Sequence, residues 1–251
     1  MPPPPAASSI VRGRIKAGER IVIYGDGGLG KSTLASLAPE PVFIDIEGGT
    51  RHMDVARFDN VPDWNAVLAA LRSPDLAAFK SVVIDSATKA QDLATAWTLA
   101  NIKTDKGADA GSVEGYGFGK GYRFVYDTFM RMIAALDALA DAGKHVIVIV
   151  HATTSPVPNP EGDDWLRHEP ALQQPSKEGR IRDRVVAWAD HVLFVGMDKL
   201  VKDGKATGGG SRTIYTQARP TYVAKSRTLP AKPIPFASST DDSVWKSLGI
   251  K

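Results

Sequence analysis

The chain carries at residues 25–33 the sequence Gly25-Asp26-Gly27-Gly28-Leu29-Gly30-Lys31-Ser32-Thr33. This sequence matches the phosphate-binding pattern G-x-x-x-x-G-K-[ST] at every fixed position. The apolar run at residues 21–24 predicts a buried strand before it, and residues 34–38 predict a helix after it, which Pro39 ends. The order of strand, glycine-rich loop and helix therefore predicts a nucleotide-binding loop.

The residue types in this loop suit a polyphosphate chain. The glycines at 25, 27, 28 and 30 let the backbone approach the phosphates and adopt positive φ, and the following helix supplies further N–H donors. We expect Lys31 to reach the β- and γ-phosphates and Ser32 to hold Mg²⁺. The alternative, a glycine-rich turn that binds nothing, requires the Lys-Ser pair to follow the last glycine by coincidence. The loop therefore predicts ATP and Mg²⁺ as ligands.

Length and composition limit the possible classes of protein. The chain has 251 residues, of which 43% are hydrophobic and 24% charged, which predicts one α/β domain over residues 10–251 after a flexible proline-rich tail, 1–9. The net charge of +3 permits a polyanionic partner without requiring one, and the absence of cysteine excludes disulfides and thiolate zinc sites. No apolar run approaches the roughly 20 residues of a membrane span, and the proline-rich start is unlike a secretory leader. We expect a cytoplasmic protein without membrane contact.

A second chemical signal lies at residues 81–86, Ser-Val-Val-Ile-Asp-Ser. An apolar strand that ends in a carboxylate places Asp85 where it can bind the water shell of the Mg²⁺ that Ser32 contacts. The alternative is that Asp85 caps the helix predicted over residues 87–100. The phosphate-binding loop upstream favours the metal role.

The remaining pattern is that of a mainly parallel sheet with helices. Residues 41–46 predict a strand that ends at Glu47, and residues 145–150 predict a central strand with His151 at its tip. Helices are predicted at residues 64–71, 122–142, 181–189 and 241–248, the last docked by Trp245. A further strand is predicted at residues 191–195, and the strands at residues 213–216 and 221–224 predict antiparallel additions at the C-terminal edge of the sheet. His151 is interpreted either as a structural hydrogen-bonding residue or, because ligands bind at this edge, as a group beside the γ-phosphate.

Two long segments show no regular periodicity, residues 101–122 and 152–179. The first holds six glycines together with three lysines and three aromatic residues, a combination that suits a flexible loop binding a single strand of nucleic acid. A mobile insertion with incidental charges explains the first segment equally well. The second is rich in proline and carries charges of both signs, which makes a nucleic-acid role weaker there.

Four motifs in this order resemble the RecA-like branch of the phosphate-loop ATPases: residues 25–33, 42–49, 81–86 and 146–155, followed by residues 224–236. The resemblance covers residues 10–236 and is greatest to phage-encoded RecA-core proteins of single-strand annealing and recombination. The Asp-x-Glu at 45–47 and the Lys-x-Arg at 225–227 point to the RecA-like branch in particular.

The resemblance implies a role for each matching residue. Glu47 matches the glutamate that polarises the attacking water, although an acidic residue before a Gly-Gly turn needs no such role. His151 stands where the family has a polar γ-phosphate sensor, often glutamine. Lys225 and Arg227 match cations that reach a neighbouring subunit's γ-phosphate, while a solvated strand end is the alternative. Residues 101–122 and 152–179 match the positions of the DNA-binding loops without sharing their motifs.

The resemblance further implies an ATPase that assembles on single-stranded DNA as a ring or filament, in the host cytoplasm if the gene is phage-borne. A single-strand DNA-binding protein is a further partner that it suggests. Two other hypotheses stay open: a hexameric helicase or packaging-type motor, and a non-catalytic DNA-binding scaffold that ATP locks into its assembled state. The chain matches no N-terminal oligomerisation segment and no large C-terminal domain of the bacterial recombinases.

Overall fold

A computed structural model describes residues 12–13, 17–197, 200–202, 205–207 and 211–250. The tail predicted over residues 1–9 lies outside the described residues, as do residues 208–210. The single domain that we expected over residues 10–251 stays a prediction.

The strands within the described residues include the apolar runs from which the sequence predicted strands. They are β1 (Arg20–Gly25), β2 (Pro41–Asp45), β3 (Ala56–Phe58), β4 (Ser81–Asp85), β5 (His145–Val157), β6 (Trp165–Pro170), β7 (His191–Met197), β8 (Leu200–Lys202), β9 (Lys205–Thr207), β10 (Arg212–Tyr215), β11 (Lys225–Ser226) and β12 (Ile234–Phe236).

The helices connect these strands and cover the sheet. They are α1 (Lys31–Ser36), α2 (Trp64–Ala70), α3 (Ala87–Asn101), α4 (Lys120–Asp141), α5 (Ile181–Trp188) and α6 (Ser243–Leu248), with short 3-10 helices at Pro74–Ala78 and Glu114–Tyr116.

The main sheet has the strand order β12-β10-β7-β1-β5-β4-β2-β3. The strands from β7 to β3 are parallel to their neighbours, whereas β10, β11 and β12 pair antiparallel at the C-terminal edge. This arrangement confirms the predicted α/β class, a mainly parallel sheet flanked by helices with antiparallel strands added at one edge. The phosphate-binding loop follows β1 in the middle of the sheet, with β5 and β4 on one side and β7 and β10 on the other.

Both faces of the central strands are buried, which explains the continuous apolar runs in the middle of β1, β4, β5 and β7. Along β1, Val22 and Tyr24 face a core that includes α2, α3, α4 and α5, while Ile21 and Ile23 face α1 and α6. Trp245 of α6 is buried and donates an indole hydrogen bond to the carbonyl of Leu34 in α1, 2.8 Å away. This contact confirms the docking role predicted for Trp245.

The prediction that residues 152–179 are irregular is wrong for their first half. β5 continues past His151 as far as Val157 and pairs antiparallel with β6, so that residues 145–170 form one long strand and a hairpin. Prolines obscured the pattern in the sequence, but Pro156 lies in a two-stranded ribbon, where proline is tolerated. The strand predicted at residues 221–224 is also wrong, because the regular strand β11 begins only at Lys225; the ring centroid of Tyr222 lies 5.0 Å from that of Phe194.

Residues 101–122 are likewise more ordered than their sequence suggests. Tyr116 is buried, and its hydroxyl donates to the carbonyl of Ile102 (2.6 Å) and also lies 3.1 Å from the carbonyl oxygen of Thr98, at the end of α3. α4 begins at Lys120, so the last three residues of the predicted loop are helical. A single buried aromatic residue thus fixes a segment that glycine content alone would predict to be loose.

Within the described residues, no helix combines the length and the apolar composition that crossing a bilayer requires.

Candidate active site

The phosphate-binding loop occupies residues 26–30, between the end of β1 and the start of α1. Gly28 and Gly30 have φ of +76° and +83°, as expected, whereas Gly25 and Gly27 lie outside that left-handed region. Gly25 is needed for a different reason, since a Cβ there would collide with the carbonyl oxygen of Val195. No side chain caps the first turn of α1, so its backbone N–H groups remain available to an anion.

Lys31 lies across this loop. Its Nζ donates hydrogen bonds to the carbonyl oxygens of Gly25 (2.9 Å) and Asp26 (2.8 Å), and the residue is 7% exposed. Burial lowers the pKa of the Lys31 ammonium, against the opposing effect of the nearby carboxylates. The cation is thus held at the loop by carbonyl groups, which a phosphate chain can replace as its partners.

Ser32 and Asp85 meet as the sequence predicts. The hydroxyl of Ser32 donates to Asp85 Oδ2 over 2.6 Å, and Asp85 is 5% exposed. Burial raises the pKa of Asp85, and the nearby carboxylates Glu47 and Asp45 act in the same direction. An ionised carboxylate in this position therefore gains from a nearby cation.

The alternative that Asp85 caps α3 is not what the structure shows. Ser86 is the N-cap residue: its hydroxyl accepts a hydrogen bond from the backbone N–H of Lys89, 3.3 Å away. Asp85 is thereby left to face Ser32. This division of roles between neighbours could have been read from the sequence, since serine before a helical run is a typical cap.

The donor set at Ser32 and Asp85 fits Mg²⁺. Both groups offer hard oxygen ligands, and Mg²⁺ bound with a nucleotide takes one or two protein groups, with phosphates and waters completing its shell. In the described part of the chain no group of three or more His, Asp or Glu side chains lies together as a metal site of its own. Ser32 and Asp85 are accordingly the residues that would hold the ion.

A rigid loop after β2 carries Glu47. Asp45, which is buried, accepts hydrogen bonds from the backbone N–H groups of Gly49 (3.1 Å) and Thr50 (2.9 Å) and from the Thr50 hydroxyl (2.6 Å). Although burial alone would raise the pKa of Asp45, these hydrogen bonds lower it. Asp45 therefore stays ionised and closes residues 46–50 into a turn, a role that the sequence analysis did not assign to it.

Glu47 and His151 come together although they lie on different strands. His151 Nε2 is 2.9 Å from Glu47 Oε1 and 3.2 Å from Oε2, and the hydroxyl of Ser86 donates to Glu47 Oε1. The backbone N–H of His151 donates to the hydroxyl of Thr88 over 3.1 Å, which fixes the strand at this point. The carboxylate is therefore oriented from two sides while its side chain keeps 31% of its surface exposed.

These groups surround one cavity of about 360 Å³. The phosphate-binding loop and the Glu47–His151 pair both line it. The lining residues are Gly27, Gly28, Gly30, Lys31, Ser32, Thr33, Glu47, Gly49, Met53, Asp85, Ile149 and His151.

Lys225 and Arg227 are not part of this cavity. β11 pairs with the first residues of β7, so both cations lie at the end of the sheet opposite the phosphate-binding loop. Within the subunit Lys225 Nζ donates to the carbonyl of Ala187 over 3.0 Å, and Arg227 forms an ion pair with Asp190 at 2.8 Å. A role at the γ-phosphate of a neighbouring subunit stays a prediction.

The two segments predicted to bind DNA meet in a separate groove of about 900 Å³. Phe118 stands at its rim with φ +51° and a fully exposed ring, and Lys120, Arg123 and Lys177 lie around it. Two of these cations have partners, because Lys120 pairs with Asp105 and Arg123 pairs with Glu178. Lys177 makes no ion pair with any residue that the structure describes.

One basic residue at the phosphate-binding loop was missed by the sequence analysis. Arg212 of β10 packs its guanidinium 4.4 Å from the ring centroid of Phe236, next to Gly30. No motif surrounds Arg212 in the sequence, and it lies far along the chain from the loop. Only the pairing of β10 beside β7 brings it there.

A family model described as an AAA domain matches residues 17–228, which is most of the chain and includes β1 to β10. No curated protein matches the chain.

Proposed function

The chain belongs to the AAA domain family of phosphate-loop ATPases, and on this premise we propose that it is a Mg²⁺-dependent ATPase stimulated by single-stranded DNA. Binding and hydrolysis of ATP are the activities that membership of the family supports. The finer proposal is that the protein assembles as a ring or filament on single-stranded DNA during annealing or recombination, in a phage setting.

One observation carries the proposal of hydrolysis: the phosphate-binding loop, the Ser32–Asp85 pair and the Glu47–His151 pair face the same cavity. A site that only binds a nucleotide needs the first two. A carboxylate in the same cavity, able to face the water that attacks a γ-phosphate, is the additional group that hydrolysis needs.

These groups of the cavity have separate roles in binding or in hydrolysis. The loop amides and Lys31 bind the phosphates and stabilise charge as it develops on them. Ser32 and Asp85 hold Mg²⁺, which neutralises phosphate charge when it is bound. Glu47 orients water and accepts its proton, and Ser86 and His151 fix the direction in which the carboxylate points.

The groove beside Phe118 supports the proposal of a single-stranded partner. A non-glycine residue with positive φ is uncommon, and here that conformation, with Gly117 and Gly119 on either side also at positive φ, directs an aromatic ring into solvent. Aromatic rings in such positions stack on unpaired bases irrespective of sequence, and nearby cations contact the phosphates. Lys177 is the cation best placed to do so, since Lys120 and Arg123 are already paired.

The test is steady-state ATP turnover with and without single-stranded DNA, at low and moderate salt. We expect DNA to raise turnover in the wild type, and Lys31→Ala to abolish it in either condition. Phe118→Ala should retain the DNA-free rate and lose most of the stimulation, whereas Phe118→Tyr, which keeps an aromatic face, should retain both.

Other outcomes would replace the proposal. Turnover that DNA leaves unchanged would remove the nucleic-acid part, and unwinding of a duplex would indicate a motor. Assembly on DNA in the presence of ATP without turnover would indicate a nucleotide-gated scaffold. Full activity of Lys31→Ala would contradict the assignment of the phosphate-binding loop.

A further inference from the structure

We infer that Arg212 is a nucleotide-binding residue that contacts the α-phosphate of the bound triphosphate. This inference rests on the proposed function, because it takes the phosphate-binding loop to hold ATP. It adds a second flank to the site, formed by β10 and β12.

The order of the strands sets the direction in which a nucleotide lies in the site. Asp85, the Mg²⁺ ligand at the end of β4, and Glu47, which follows β2 and faces the γ-phosphate, lie on one side of β1 in the sheet. A phosphate chain that crosses the loop from that side must leave it on the other side, toward β7 and β10. Arg212 pairs with Met197, two residues past the partner of Gly25, so it lies on this other side and at the same end of the sheet as the loop.

Arg212 contacts the phosphate-binding loop itself. A Cβ added to Gly30 would collide with Arg212 Nη1 and would lie 3.1 Å from the Phe236 ring. The guanidinium therefore touches the backbone of the residue that immediately precedes Lys31. Gly30 also has φ +83°, a conformation that favours glycine at this position.

The guanidinium of Arg212 is positioned by a neighbouring ring and keeps its N–H donors available. Arg212 is half-buried and its guanidinium stacks on Phe236 at 4.4 Å, yet the guanidinium forms no hydrogen bond or ion pair with any residue in the described part of the chain. A stacked guanidinium keeps its N–H donors in the ring-parallel plane, where they remain available. Five donors in a fixed fork match the oxygens of a phosphate or a carboxylate, and the phosphate chain is the anion that the adjacent loop is built to bind. The stack on Phe236, which is 1% exposed, holds the fork in place before the ligand arrives.

The α-phosphate is the phosphate that this position fits. The β- and γ-phosphates are assigned to the loop amides, Lys31 and the Mg²⁺ ligands, whereas the α-phosphate lies at the nucleoside end of the chain. A cation on the β10 side can reach that end without displacing any of the groups at the cavity.

The experiment compares ATP binding by calorimetry in the wild type, Arg212→Ala and Arg212→Gln. Loss of a hydrogen bond to a charged group corresponds to about a 10- to 100-fold rise in Kd, which we expect in both variants. Arg219→Ala is the charge-matched control, because Arg219 is exposed and lies in the same C-terminal region. It should bind ATP as the wild type does.

Thio-substituted ATP then distinguishes a contact from a structural effect. Sulfur in place of an α-phosphate oxygen should weaken binding to the wild type for one diastereomer and have little further effect in the Arg212 variants. Sulfur on the γ-phosphate should cost the same in all proteins. A variant that merely loosened the loop would show the full α-thio effect in addition to its own loss.

Two results would overturn the inference. One is ATP affinity in Arg212→Gln within about twofold of the wild type, and the other is an α-thio effect of equal size in wild type and variants. Absence of ATP binding by the wild type would instead refute the proposed function, so the two failures are distinguishable.

Discussion

Both carboxylate oxygens of Glu47 are close to His151, and one of them also accepts from Ser86. Such a carboxylate is held in one orientation while its remaining lone pairs face the cavity. At the scale of single residues, the site is thus built from pairs: a ligand-binding group and a second group that fixes its direction. Ser32 with Asp85 follows the same principle.

Replacing Glu47 separates binding from hydrolysis. Glu47→Gln keeps the shape and can keep the contact with Ser86, but an amide cannot accept the proton of water. We expect the Kd for ATP to change by less than about threefold and turnover to fall by about 10²- to 10⁴-fold, the usual contribution of a general base. Equilibrium binding and single-turnover hydrolysis measure the two effects. Glu40→Gln, an exposed change away from the cavity, is the control; turnover retained in Glu47→Gln would leave the base to be sought elsewhere.

We expect the buried charge of Asp85, which serves to bind Mg²⁺, to lower the free energy of unfolding of the nucleotide-free protein. Because burial raises its pKa in the folded state, stability is greatest while the group is protonated and falls as the pH rises through the folded pKa. Asp85→Asn removes the charge that burial disfavours, so it should leave the Tm without nucleotide equal or higher. The same variant should lose at least about tenfold in Mg²⁺-dependent ATP affinity.

Thermal unfolding and titration at fixed Mg²⁺ test both halves of this expectation. Asp92→Asn, on the exposed side of α3, is the matched control. A lowered Tm together with intact Mg²⁺ dependence would show that Asp85 is a structural residue.

At the scale of elements, the thirteen residues of β5 contribute to the far end of the sheet, to the core and to the candidate site. Its first residue, His145, fixes the end of the sheet far from the site, its middle is core, and His151 reaches Glu47 before the strand continues into the hairpin. A change in the conformation of the β5–β6 hairpin therefore affects the strand that carries His151.

The start of β5 should make stability depend on pH. His145 Nδ1 accepts a hydrogen bond from the backbone N–H of Glu19 at 3.1 Å, which requires an unprotonated nitrogen. Burial lowers the pKa of His145 from 6.5, although the charge of Glu19 opposes this. Below pH 6.5 the unfolded chain then binds more protons than the folded one, so the free energy of unfolding falls, by at most about 1.4 kcal/mol per pH unit for one group.

Denaturant unfolding between pH 7.5 and 5 measures this slope. His145→Gln should be less stable at pH 7.5 and should show a flatter pH dependence. His191, whose pKa burial also lowers, adds a slope of the same sign that the variant retains. Substitution of the exposed His52 should leave the wild-type slope; an unchanged slope in His145→Gln would contradict the assignment.

The sequence predicted those elements whose local pattern and tertiary setting agree. β1, β4 and the core of β5 are apolar on both faces, and the phosphate-binding loop requires its glycines, so both could be identified directly. The hairpin of β5 and β6 was missed because its stability comes from pairing across residues that include proline. The position of Arg212 was missed for a related reason: its contact with Gly30 depends on strand order, which no local pattern contains.

At the scale of the molecule, the two ends of the parallel sheet have different contents. The cavity with Lys31, Asp85 and Glu47 lies at one end, and Lys225 and Arg227 lie at the other. A single subunit cannot bring Arg227 to its own phosphate site without unpairing β11 from β7. If the residue serves catalysis, it must do so in a neighbouring copy, so turnover and self-association should be linked.

Mixing subunits tests this arrangement. Arg227→Ala should fold normally, because its ion pair with Asp190 is formed by a side chain that is 66% exposed, and such pairs contribute little to stability. Alone, the variant should bind ATP normally and turn it over at least about tenfold more slowly. When it is mixed with Glu47→Gln protein, interfaces that combine an intact Glu47 with an intact Arg227 should form, and turnover should rise above that of either variant. Arg72→Ala, an exposed substitution of the same charge, should match the wild type at every ratio. Turnover that only averages the two variants, over a concentration range in which sedimentation shows assembly, would place the function of Arg227 within its own subunit or outside catalysis.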